Sequence, residues 1–186
     1  MLFRCAISVV FVFAGWSGAQ GYLVSEVAIE YSAGSGANQA VTVLDFGDDS
    51  YAFEYRWDGS ATGIDMILAL DAAGPLEVTT QDFGFGLFVD TITYESLVMG
   101  GGYPTNWIGY FISTDGEVWT ESTLGASDRA LTDGDWDGWA RQFSDPFPDP
   151  LASIPQTPLA LTVPEPTSLL LMTGALGLLL RRRRRT

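Results

Sequence analysis

Short apolar and β-branched runs, separated by clusters of Gly, Asp, Ser and Asn, recur through most of this 186-residue chain. Residues 40–46 (AVTVLDF) are nearly continuous in apolar character and bounded by turn formers, which predicts a strand. Residues 51–57 (YAFEYRW) alternate instead. Tyr51, Phe53, Tyr55 and Trp57 share one face, and Ala52, Glu54 and Arg56 the other, as in a half-buried strand. The turn at 47–50 should join the two as a hairpin. An earlier strand is expected within 22–31, followed by a Gly/Ser/Asn loop to residue 38. In 60–74 the period changes: Ile64, Ile67, Leu68 and Asp71 fall at i, i+3, i+4 and i+7, Ser60 or Thr62 can cap the start, and Gly74-Pro75 ends the run. Residues 76–83, 87–94 and 107–114 read as further strands. Asp115-Gly116 predicts a two-residue hairpin turn, with 117–123 pairing back. Loops and one short strand around Trp139 complete the stretch to 143.

The order β-β-α-β-β-β-β predicts an α+β fold, a mostly antiparallel or mixed β-sheet with one helix packed on a face, in a β-grasp-like arrangement. A β-sandwich with one incidental helix is the alternative. Trp57, on the aromatic face of its strand, is expected in the core.

The two ends of the chain follow a different pattern. Arg4 precedes a short apolar run at 5–14, and Ser17-Gly18-Ala19 places small residues at the cleavage-reading positions. This predicts a secretory signal peptide over 1–19, cut after Ala19. The only cysteine, Cys5, lies inside that run, so the body 20–145 has no disulfide to staple it. Seven of the nine prolines lie between 146 and 166. Residues 146–162 are therefore expected to be a Pro-rich linker of extended, unpacked backbone.

Beyond it come Val163, Pro164, Glu165 and Pro166, then a twelve-residue apolar run over 169–180, then five arginines. As a helix the run reaches only ~18 Å, against a hydrocarbon core of roughly 30 Å. It is a marginal span or a shallow anchor, with Leu169, Leu170, Leu171, Leu176, Leu178, Leu179 and Leu180 as its membrane-facing residues. Arg181, Arg182, Arg183, Arg184 and Arg185 should stay on the cytoplasmic side and leave the body outside. This three-part order over 163–186 resembles the PEP-CTERM sorting signal of Gram-negative bacteria. The resemblance implies exosortase, a membrane-embedded cysteine protease, as a partner, with cleavage near the motif. It also implies a transient membrane anchor after passage through the inner membrane, then release or transfer to the cell surface. A plain C-terminal tail anchor would place the body on the same side.

The body's charge is lopsided. Of 23 acidic residues only Glu165 lies in the two end segments, whereas of nine arginines only Arg56, Arg129 and Arg141 lie between them, which leaves body and linker together at −19. Such a surface repels phosphate backbones, so nucleic acid is excluded as a partner. The chain has no histidine, which removes Ser-His triads, Cys-His dyads and ordinary zinc sites. Carboxylate pairs are abundant enough for glycoside hydrolysis but for that reason single out no site. No catalytic residue is assigned, and the body is expected not to be an enzyme; a secreted carboxylate-dependent hydrolase is the third reading.

Two features could carry binding. Asp133, Asp135 and Asp137, with Gly138 following, have the D-x-D-x-D-G opening of a calcium loop, although Ser144 stands where the closing glutamate belongs. A turn-rich acidic loop is the alternative, and no other cofactor is indicated. Trp107, Trp136 and Trp139 offer flat faces that could stack on a ligand if exposed. The stretches YRWDGSATGIDMILAL, NWIGYFISTDGEVW and LTDGDWDGW are similar to transcobalamin C-terminal-like β-grasp domains, through Thr62, Trp107, Gly116, Gly134 and Asp135. That resemblance implies either a corrinoid-like ligand or a purely architectural role. The leading expectation is a non-enzymatic surface or matrix protein, with extracellular polysaccharide among its partners. A surface module that binds a small ligand or glycan is the alternative.

Overall fold

The computed structural model describes residues 22–102, 106–143 and 153–160. A single 3-10 turn, Val24–Glu26, leads into β1 (Ile29–Gly34), β2 (Asn38–Asp45) and β3 (Ser50–Trp57). Helix α1 (Gly63–Ala73) follows, then β4 (Glu77–Asp82), β5 (Leu87–Tyr94), β6 (Leu97–Gly100), β7 (Trp107–Ser113), β8 (Thr120–Glu121) and β9 (Trp136–Gln142). The class is α+β. The strands form two sheets where the sequence suggested one. Six strands run in the order β1-β3-β2-β9-β7-β8, and β4-β5-β6 make a separate antiparallel sheet.

The hairpin of β2 and β3 is present, with Thr42 opposite Phe53 and Val43 opposite Ala52. β2 lies between β3 and β9, antiparallel to the first and parallel to the second. Residues 40–45 are buried on both faces, which is the burial a near-continuous apolar run requires. α1 starts as the sequence indicated. Thr62 caps it, its hydroxyl accepting from Asp65 N while Asp65 Oδ2 accepts from Thr62 N at 2.9 Å. At the other end the Tyr31 hydroxyl donates to Leu70 O at 2.9 Å, and the Tyr31 ring covers Gly74 so closely that a Cβ there would lie 2.4 Å from it.

The six-stranded sheet is covered on both sides. One face carries the main core, where Leu44, Phe53 and Trp57 meet Met66, Ile67 and Leu70 of α1 and Ile92 and Met99 of the small sheet. The other face carries a smaller cluster of Val27, Val41, Val43, Ala52 and Trp136. That cluster lies under Tyr22, Val24 and Trp119. It also lies under residues 153–160, which hydrogen-bond to β9, to the end of β2 and to the N-terminal segment.

Several expectations change. Within 22–31 a 3-10 turn, Val24–Glu26, comes first, and the strand begins only at Ile29 and runs on to Gly34. Asp115-Gly116 is not a two-residue hairpin turn: six residues separate β7 from β8, and β8 is two residues long. Asp115 Oδ1 instead accepts from Glu117 N and Val118 N, both at 2.9 Å, and wraps the loop around itself. The short strand around Trp139 is a seven-residue central strand, and β6 was not anticipated. The second half of the expected unpacked linker is packed. Pro155 is buried against Gly138 and Trp119. Ala28 N donates to Pro158 O and Ala160 N to Glu26 O, so the segment runs as a strap beside the N-terminal turn. Among the described residues no helix is long and apolar enough to cross a membrane.

Candidate functional site

The acidic segment before and within β9 contains the sequence-derived candidates, and the backbone sends their side chains to different places. Asp133 Oδ1 accepts from Gln39 N at 2.9 Å. Asp135 Oδ2 accepts from Thr132 N at 2.7 Å and faces an Arg129 terminal nitrogen at 3.2 Å. Asp137 is fully buried, with Oδ1 2.8 Å from Arg129 Nε and Oδ2 accepting from the Tyr110 hydroxyl. Each carboxylate answers a donor of the chain itself. Among the described residues no group of three or more acidic, histidine or cysteine side chains is placed to hold a metal ion.

The aromatic candidates are also placed differently from their sequence setting. Trp136 and Trp139 are only 3% and 4% exposed, one on each face of the sheet. Alternation along β9 puts them there, and Asp137 and Gly138 between them are buried as well. Trp107 is half-buried at the start of β7, opposite Gln142. The three indoles do not share a surface. Ala19, the motif Val163 to Pro166, the apolar run 169–180 and the arginine block lie outside the described residues.

The structure does assemble a polar lock around Arg129. The segment 125–131 ties the start of α1 to β9: Gly63 N donates to Arg129 O, Ile64 N to Ala126 O, and Leu131 N to Ala61 O. Its guanidinium then reaches Asp135 and Asp137, while NH1 donates to Ala130 O at 3.3 Å. The Asp137 carboxylate also lies beside Gly63, in the first turn of α1, where the positive end of the helix favours an anion. Burial raises the Asp137 carboxyl above its ordinary value, and the Tyr110 and Arg129 donors offset this only in part. Burial, and then the Asp137 charge, raise the Tyr110 phenol strongly. Arg129 is held more firmly protonated, because its two carboxylates outweigh the burial that opposes them. With all its nitrogens directed at protein oxygens, the lock is built to join β7, β9 and α1. A cleft of about 540 Å³ lies beside it, reached by one edge of Arg129 and Asp135 and lined otherwise by Ser113, Asp115, Val118 and Thr120.

One surface feature escaped the sequence reading. Phe83, Phe85 and Phe88, at the β4–β5 connection, are all exposed, Phe85 by 82%. The Phe83 and Phe85 rings stack at 6.0 Å, and Phe88 meets Phe83 edge-on at 6.1 Å. The signal was the string FGFGLF, in which three phenylalanines sit at a glycine turn, where a folded core seldom reaches.

Residues 162–185 match the family model of the PEP-CTERM protein-sorting motif. No curated protein and no solved structure matches the chain, so the transcobalamin-type resemblance rests on its quoted residues alone.

Proposed function

We propose that this chain is an exosortase substrate whose body serves, once processed, as a non-enzymatic structural or interaction protein of the cell surface or extracellular matrix. The sorting motif at 162–185 carries the reading. It implies export, a membrane-anchor step at the C-terminus and exosortase as the processing partner. The composition of the body supports the rest. Twenty-one acidic residues against three arginines keep a secreted domain soluble and apart from other polyanions. The most buried ionisable cluster, around Asp137, is closed on itself, which suits a domain selected for persistence.

Mass spectrometry of the protein recovered from an exosortase-bearing host tests this. The expected product starts after Ala19 and ends near the motif. Substituting Pro164, Glu165 and Pro166 together by alanine should leave the tail attached and hold the chain in the inner membrane. Recovery of the wild-type chain uncut and in the cytosol would overturn the reading.

A second reading, a surface module for a glycan, is favoured by the exposed Phe83, Phe85 and Phe88 cluster, whose solvent-facing aromatic surface could pack on the apolar face of a sugar. Loss of retention on a polysaccharide column in Phe85→Ser, with the fold unchanged, would select it.

A further inference from the structure

Trp136 and Trp139 are closed inside the domain, but Trp119 is half-buried and lines a groove of about 410 Å³. One wall of the groove is the loop 116–119, the other is residues 154–157 of the strap, and Tyr22 completes it. Both walls are fixed by the chain's own bonds. Asp115 Oδ1 accepts from Glu117 N and Val118 N, both at 2.9 Å, and Asp115 O accepts from Tyr22 N at 2.7 Å. The Thr157 hydroxyl donates to Gly116 O and ties the strap to the loop, while Gln156 N donates to Asp45 Oδ2 at 2.9 Å. Trp119 is seated on Gly138, where a Cβ would lie 2.7 Å from Cζ3 of the ring. Walls held in this way need not be ordered when a ligand enters, which removes part of the cost of binding.

The side chains of the groove are less committed than its backbone. Among the described residues the Tyr22 hydroxyl and the Glu117 carboxylate meet no partner. Gln156 uses its amide nitrogen on Ile154 O at 3.2 Å and leaves Oε1 open. Asp133, Asp135 and Asp137, by contrast, each answer a donor of the chain. Two aromatic rings, a phenol hydroxyl, a carboxylate and an amide oxygen are groups that recognise an uncharged polyol. The rings pack on the C–H face of a sugar, and the oxygens accept from its hydroxyls. One carboxylate is too few for calcium, which takes six to eight oxygens. That carboxylate, on a body with twenty-one acidic residues against three arginines, also turns away phosphates and uronates. The volume falls within the ~300–1,000 Å³ of small-ligand sites.

From this we infer that the groove between 116–119 and 154–157 binds a neutral saccharide unit of an extracellular polymer. Trp119 and Tyr22 contact the apolar face of the sugar, and Glu117 and Gln156 accept from its hydroxyls. The inference deepens the glycan reading given above and rests on it, but not on the phenylalanine cluster. It also gives the strap a use beyond packing, because a product cut before residue 154 would lose one wall of the site.

The processed protein would be titrated with cellohexaose, laminarihexaose, mannohexaose and maltohexaose while its amide NMR spectrum is followed, with polygalacturonate as the anionic comparison. With at least one of the four, the shift changes should gather at Tyr22, 116–119 and 154–157. Glu117→Ala and Gln156→Ala leave the backbone bonds of both walls in place. Each should weaken the affinity about three- to tenfold at an unchanged thermal midpoint. Unweakened affinity in both variants would overturn the site. Binding that perturbs residues 83–88 instead, and is lost in Phe85→Ser, would overturn the groove and leave the glycan reading intact. Binding of polygalacturonate alone would overturn the neutral-sugar assignment. If none of the four binds, the groove is overturned, and passage unretained through polysaccharide columns would show that the glycan reading fails with it.

Discussion

Gln142 holds the backbone of Ser153 with both ends of its amide. Nε2 donates to Ser153 O at 2.8 Å, and Oε1 accepts from Ser153 N at 3.1 Å. The side chain is almost fully buried. It acts as one more rung of β-ladder, joining the last residue of β9 to the first described residue of the strap. Gln142→Ala removes both bonds in a buried setting and should lower the unfolding free energy by about 1–3 kcal/mol. Urea denaturation measures this, and hydrogen exchange should show faster loss of protection at Ser153 and Gln156. Unchanged stability would mean that the strap adds nothing through this residue.

Gly138 is the second anchor of the same segment. A Cβ there would lie 2.6 Å from Pro155 Cγ and 2.7 Å from Trp119 Cζ3, both parts of stiff rings. Gly138→Ala should therefore cost about 1–3 kcal/mol through overpacking. Gly125→Ala, where nothing lies within 4 Å, serves as the control and should cost far less. Equal thermal midpoints for the two variants would contradict the packing of the strap.

Arg129 is the only cation within reach of Asp137 among the described ion pairs. Arg129→Met would leave a fully buried carboxylate without its partner, at a cost of about 3–5 kcal/mol near neutral pH. The folded protein would then hold a proton on Asp137 even more tightly. The deficit should shrink as the solution is acidified toward the ordinary carboxylate range, and denaturation at two pH values reads this directly.

The wild-type protein should itself show opposed acid dependences. Burial holds Asp45 and Asp137 above the usual 3.8. Their folded forms keep a proton that the unfolded chain has released. Their contribution is complete below 3.8 and is lost as the pH rises through the folded values. Asp115 is shifted the other way, held below 3.8 by the N–H groups of Val118 and Glu117 and the Ser113 hydroxyl. Its contribution is present above 3.8 and is lost as the pH falls through its folded value. Asp45→Asn should flatten the first limb, and Asp115→Asn the second, in a stability profile taken across the acid range.

The parts of the fold that were legible in the sequence are those whose cause is local. β2 is apolar on both faces because both faces are covered. β3 alternates in sequence, and α1 begins where Thr62 and Asp65 can satisfy each other. β9 was almost invisible because its partners are distant. Asp137 and Gly138 read as turn residues, yet the charge of one is met by Arg129 and the missing side chain of the other is filled by Trp119 and Pro155. Residues 153–160 form no helix or regular strand, and composition cannot report what such backbone lies against. The same gap misplaced the binding candidates: strand alternation turned Trp136 and Trp139 inward, and the exposed aromatic surface is made by Phe83, Phe85 and Phe88 instead. The sorting motif could be read outright because it is a linear order of elements that needs no fold to be recognised.

β9 is a middle member of the larger sheet and the last strand along the described residues. A polypeptide delivered N-terminus first leaves the free edge of β2 unsatisfied until residue 142 has emerged. Val41 and Val43 gain the cover of Trp136 only with β9. Contacts this remote along the chain close slowly. Closing the edge of β2 therefore waits for residue 142, and the packing behind it for residues 153–160, which directly precede the sorting motif.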